Sequence, residues 1–345
     1  MGKQLSFAPA RPWRARTEAS GRWDRGAKVV GLLRVALGAT WLLDGGLQLQ
    51  PFMFTKGFVT SVLMPSVQGN PGFVTRPALA VAHLIEPHIA AWNALFAGAQ
   101  VTIGAGLLVA ALARRAGLLR LVLTASVLWS ALVWWLSEGL GGVLTGSSPL
   151  SGAPGAVVLY IVAGVLLWPG RPTADDPAPA PLLGTAVARG AWLGLWALCA
   201  FLLLEPGNQA PGAVTSVLSS AAAGEPPALR DLLSGAARDL AGTGPWLDSL
   251  LALVMLAVGL AVALRVRPRA ALSVAIALSI AIWAFGEAFG GILTGQGTDP
   301  NSGPLWALLA ACMWAGLSLS PEPAVRRRAG FEPLGAGQGH RPAQA

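Results

Sequence analysis

The chain has 345 residues, of which 54% are apolar and only 12% charged, with a mean hydropathy of +0.59. Soluble domains carry about twice that share of charge, so the composition excludes an ordinary soluble fold and points to an all-α, polytopic membrane protein. The net charge of +8 would suggest a nucleic-acid partner in a soluble chain, but its placement fits membrane topology instead.

The first 28 residues carry Arg11, Arg14, Arg16, Arg22, Arg25 and Lys28 and read as a basic cytoplasmic tail. Apolar runs near the bilayer length then recur at about 29–49, 93–112, 118–138, 154–168, 188–204, 246–264, 270–289 and 304–320. They predict about eight transmembrane helices. Residues 29–169 form a first membrane repeat and 188–320 a second. The Pro-rich stretch 170–187 is a cytoplasmic linker, and 321–345 reads as a disordered cytoplasmic tail. Further basic clusters, Arg114, Arg115 and Arg120, then Arg265, Arg267 and Arg269, then Arg326 to Arg328, all fall on one side of an eight-span chain. By the positive-inside rule that side is the cytoplasm of a cell membrane, with both termini in it. The loops 139–153 and 290–303, without Lys or Arg, face outward. Segments of about 51–91 and 206–245 are long enough to build short helices at the outer face, around Val59 to Met64 and Pro77 to Ile85 in the first.

The two halves repeat each other. Ser130, Trp134, Glu138, Gly141, Gly142, Leu144, Thr145 and Gly146 return as Ser279, Trp283, Glu287, Gly290, Gly291, Leu293, Thr294 and Gly295, at an offset of 149. Val59 to Leu63 returns as Val214 to Leu218, and Pro51 as Pro206, at an offset of 155. An even number of spans in each copy gives two parallel four-helix repeats. On a helix, Ser130, Trp134 and Glu138 share one stripe, as do Ser279, Trp283 and Glu287. The paired glycines permit a tight turn, and Thr145 and Thr294 offer hydroxyls to cap it.

Two readings of this motif stay open: a turn that both copies need in order to fold, or a ligand, ion or proton site around Glu138 and Glu287. Glu205, beside Pro206, stands where the first half has Gln50. Asp44 faces the same stripe as Trp41 and Gln48, and its aligned residue is Cys199; Gln100 aligns with Met255. His83, Glu86 and His88 also belong to the first half alone. A quinone headgroup or another small polar ligand, held by some of Asp44, His83, Gln100 and Glu138, is therefore a candidate occupant of the first half. His83 and His88 lie about 140° apart on a helix and do not clamp one iron, so neither haem nor another metal is expected. Cys199 and Cys312 have no metal-ligand spacing and read as small packed residues.

Gln100-x3-Gly104-x-Gly106-Leu-Leu-Val-Ala followed by Arg114 and Arg120 resembles the second helix and loop of the DoxX family. Arg34, Gly38, Asp44 and Gly45 resemble its first helix. The resemblance implies a four-helix membrane unit, linked in DoxD-like members to sulfur and quinone redox chemistry. Gln100 stands where an acid is expected in that family. The chain thus reads as a DoxX-like membrane protein of a redox or envelope-related pathway, oxidoreductase-associated rather than an enzyme on its own. The alternatives are a small-solute or ion permease and a structural subunit bound to a membrane partner. The helices 154–168 and 247–264 contain almost no polar groups, which speaks against a pore.

Overall fold

The computed structural model describes residues 13–170 and 182–319. The expectations for the distal tails and for 171–181 of the linker lie outside those residues. Among the described residues all regular structure is helical. The helices are α1 (Trp13–Leu47), α2 (Gly72–Ile85), α3 (Ile89–Leu112), α4 (Ala116–Leu136), α5 (Ala156–Leu166), α6 (Ala186–Leu203), α7 (Ala213–Ala221), α8 (Pro227–Asp239), α9 (Gly244–Ala263), α10 (Pro268–Ala281) and α11 (Ser302–Leu319).

Six segments are long and apolar enough to cross a bilayer: Gly26–Leu47, Gly72–Leu112, Ala116–Leu136, Ala186–Leu203, Gly244–Ala263 and Pro268–Gly286. The apolar helices Ala156–Leu166 and Ser302–Ser318 are shorter. Each of the eight apolar runs in the sequence thus falls on a helix, six of them of spanning length. Two boundaries differ from expectation. α1 starts at Trp13, so residues 13–28 continue the first helix rather than forming a loose tail; beyond Pro12 the stretch is mostly of helix-tolerant residues. α4 ends at Leu136, two residues before Glu138, because a run of left-handed residues from Gly139 to Gly142 follows.

Helix pairing is the same in both halves. α1 packs along α3 and α4 along α5; α6 packs along α9 and α10 along α11. The crossings keep the 155 offset. A Cβ on Gly104 would stand 2.8 Å from the Gly38 carbonyl oxygen, and one on Gly259 would stand 3.1 Å from Trp196 Cβ and 3.2 Å from a Leu193 methyl. Small residues let α1 and α3 approach backbone to backbone, the usual way of tightening helix pairs where lipid supplies no hydrophobic drive. The halves meet where α11 lies against α1 and α5, and a single apolar core runs through both.

The segments 51–91 and 206–245 contain short helices. Residues Lys56–Phe58, Val59–Leu63 and Met64–Ser66 form one irregular helix, and Phe58, Val59 and Met53 bury against Ala82, Ile85 and Ile89. In the second half α7 and α8 make the corresponding hairpin.

Candidate functional site

The repeated motif closes in the same way twice. Trp134 Nε1 donates to the Pro154 carbonyl at 2.9 Å, and Trp283 Nε1 donates to the Pro300 carbonyl at 2.7 Å. Thr145 and Thr294 hydroxyls donate to the Gly142 and Gly291 carbonyls. Gly141, at φ +61°, has no room for a side chain, since a Cβ would fall on the Pro154 carbonyl. The Trp anchors also fix the register beyond the turn: Pro154 matches Pro300, an offset of 146, because the first copy's loop is longer by three residues. In this register Ala156 matches Ser302, Val157 matches Gly303 and Tyr160 matches Trp306. The ring pairs agree, with Trp41 and Tyr160 centroids 4.3 Å apart and Trp196 and Trp306 4.9 Å apart.

The two glutamates then part company. Glu287 is caged: the Ser302 hydroxyl donates to Oε1 and the Gly303 N–H donates to Oε2 at 3.1 Å. At Glu138 the Val157 N–H is retained, but Ala156 supplies no hydroxyl, and Oε2 is buried without a partner. That oxygen lies over Gly155, which at φ +101° has no Cβ to block it. Burial first, and the nearby Asp299 second, push the Glu138 carboxyl up to about 8; burial also raises Glu287, to about 7, against the pull of its donors. Asp299 is raised by burial too, although its carboxylate accepts from the Thr298 hydroxyl and the Asn301 N–H, both at 2.7 Å.

Glu138 faces a cavity of about 540 Å³ in the first half. Its polar lining includes Asp44, Gln48, Gln100, Glu138 and Tyr160; its aromatic walls are Trp41, Phe58, Phe96, Trp129 and Tyr160. The second half lends Gly290, Thr298, Asp299 and Asn301 to the same cavity. Asp44 Oδ1, Gln48 Oε1, Gln100 Oε1, Glu138 Oε2, Trp129 Nε1 and the Tyr160 hydroxyl are all buried and lack hydrogen-bond partners. The Tyr160 phenol stands beside Asp44. Buried polar groups are nearly always paired, and each unpaired one costs about 1–3 kcal/mol, so such a cluster marks a place shaped for an occupant. The volume is that of a small-molecule site.

The matching place in the second half is shut. It holds about 10 Å³ and its lining includes Trp196, Cys199, Met255, Ser279, Ser302 and Trp306. Asp44, Gln100 and Tyr160 are thus replaced by Cys199, Met255 and Trp306, and the larger indole and thioether fill what the first half leaves open.

Of the candidates from sequence, Asp44, Gln100 and Glu138 come together on one cavity. His83 is exposed on α2 and is not part of the lining; His88 is exposed as well, and Glu86 lies 3.9 Å from Lys56. Glu287 is held in its own cage beside the filled counterpart. In the motif, Ser130 is buried with its hydroxyl unpartnered, whereas the Ser279 hydroxyl donates to the Ala275 carbonyl at 2.7 Å. Gly142 and Gly290 line the cavity, Gly291 sits in the second copy's turn, and Thr145 and Thr294 serve those turns. Tyr160 and Asp299 escaped sequence reasoning. Tyr160 is the single tyrosine of the chain, a signal in so apolar a helix, but its partner in the other copy appears only once the register change is known. No protein-family model, no curated protein and no solved structure matches the chain.

Proposed function

We propose that the chain is a cell-membrane protein of eight spans, arranged as two parallel four-helix repeats with both termini cytoplasmic, whose first repeat binds a small molecule near the outer face. The observation that carries this reading is the contrast between the copies: six unpartnered polar atoms surround an open cavity in one, and apolar side chains close the matching place in the other. A fold-building role alone would not keep a cavity open at that cost, since packed interiors gain contacts by filling it. The even helix count, the basic clusters on one side and the repeated pairing of helices support the topology.

The occupant sits between aromatic walls with its polar end toward Asp44, Gln100 and Glu138. A quinone headgroup is the redox version of such an occupant, in keeping with the DoxX-like motifs of the first half. Trp129 Nε1, the Tyr160 hydroxyl and the Gln100 amide are the donors available to its carbonyls. The test is mass spectrometry of small molecules extracted from the detergent-purified protein, comparing wild type with Asp44→Asn and Glu138→Gln. A molecule retained by wild type and lost from both variants is expected; a wild-type protein that retains nothing and binds no added ligand would refute the reading.

A further inference from the structure

The titratable groups of the cavity are all acids. Three carboxyl groups line it, Asp44, Glu138 and Asp299, and among the described residues no Lys, Arg or His does. They come from three different parts of the chain, so no single turn explains their meeting. Asp44 is 2% exposed and Oδ1 has no partner; Glu138 Oε2 has none either. Asp299, by contrast, already accepts two hydrogen bonds and contributes field rather than a free oxygen. Trp41, Phe96, Trp129 and Tyr160 line the same cavity, paired as Trp41 with Tyr160 and Phe96 with Trp129. Acids to balance a charge and aromatic rings to face it are the two devices by which proteins hold organic cations. An inorganic ion fits less well: among the described residues no three of His, Cys, Asp or Glu are placed to hold a metal, and the space is far larger than an ion needs.

Resting on the binding role proposed above, we propose that the occupant is a small organic cation, an ammonium group carrying an aromatic or alkyl arm, with its nitrogen between Asp44 and Glu138 and its arm against the aromatic walls. The nitrogen belongs either to a free amine or to an ammonium lipid headgroup, and both present the same chemistry to the site.

The test needs no variant to begin with. Binding of benzyltrimethylammonium and of its neutral carbon isostere neopentylbenzene to the purified full chain is measured by calorimetry at pH 7.5, with a short-chain ubiquinone analogue as the neutral polar probe. The cation is expected to bind at least tenfold tighter than its isostere, about one charge contact's worth. Glu138→Gln and Asp44→Asn each weaken it tenfold or more while leaving the isostere unchanged. Should either variant fail to fold, Trp129→Leu serves instead and lowers the preference for the cation over the isostere. Displacement of the probe by benzylamine assigns the nitrogen to free amines, and displacement by phosphatidylethanolamine alone assigns it to a lipid; both support the proposal. Equal binding of cation and isostere overturns it. Binding of the quinone analogue alone overturns the cation while leaving a small-molecule site, and binding of none of the probes removes both.

Discussion

The different fates of Glu138 and Glu287 rest on one hydroxyl, and exchanging it between the copies tests the account. Ser302→Ala removes the hydroxyl donor to Glu287 Oε1, on a residue 6% exposed, and leaves only backbone N–H groups on that carboxylate. A hydrogen bond to a charged group contributes about 1.5–3 kcal/mol, so the variant should lose roughly 2 kcal/mol of stability. Ala156→Ser makes the reverse change. In the matching register its hydroxyl reaches the free Oε2 of Glu138, and stability should hold or rise by about 1 kcal/mol while the cavity loses an acceptor. Unfolding of both variants and wild type in the same detergent, followed by tryptophan fluorescence during heating, reads the difference, with a midpoint several degrees lower for Ser302→Ala. A loss under about 0.5 kcal/mol for Ser302→Ala, or an equal loss for both variants, would show that the hydroxyl does not decide how the two glutamates are held.

Other outcomes follow from the same geometry. Because Glu138 titrates near 8 in the fold and near 4.5 when exposed, the stability its protonated form contributes is complete below about 4.5 and falls as pH rises through about 8. Glu138→Gln should therefore unfold like wild type at pH 5 and resist unfolding better at pH 9, by an amount on the order of a few kcal/mol, checked by thermal melts at the two values. Gly155→Ala forces a side chain into a positive-φ position and against Glu138 Oε2; the backbone alone costs about 1–3 kcal/mol, and ligand retention should fall with it. Tyr160→Trp copies the second half's plug into the first and should abolish ligand retention without lowering the melting temperature. His83→Ala, on an exposed position away from the lining, should leave retention within twofold of wild type when the same extracts are analysed.

Much of this arrangement is written in residue order. The apolar runs locate the helices, the 149 offset locates the twin turns, and the Asp44/Cys199 and Gln100/Met255 mismatches single out the first half as the polar one. Those signals survive because helix length, glycine turns and buried acids each impose local requirements on sequence. The cavity itself is hidden, for two physical reasons. Its far wall depends on a three-residue difference in loop length, which shifts the register from 149 to 146 and conceals that Ala156 opposes Ser302 and Tyr160 opposes Trp306. Thr298, Asp299 and Asn301 join its lining through packing between halves and not by any local pattern. His83 shows the converse: a residue type that suggests chemistry, placed by the phase of α2 on the exposed face.

The loan of Asp299 and its neighbours across the boundary between halves has a consequence for genetics. The segment that completes the first half's cavity lies in the second half, well over a hundred residues downstream of Glu138. Truncation after the first repeat would keep Asp44 and Glu138 and still remove Asp299 and its neighbours from the lining. A selection for lost function should gather hits in two clusters far apart along the gene, and suppressors of a damaged Glu138 should arise around Asp299, where a change of charge alters the same field from the other side.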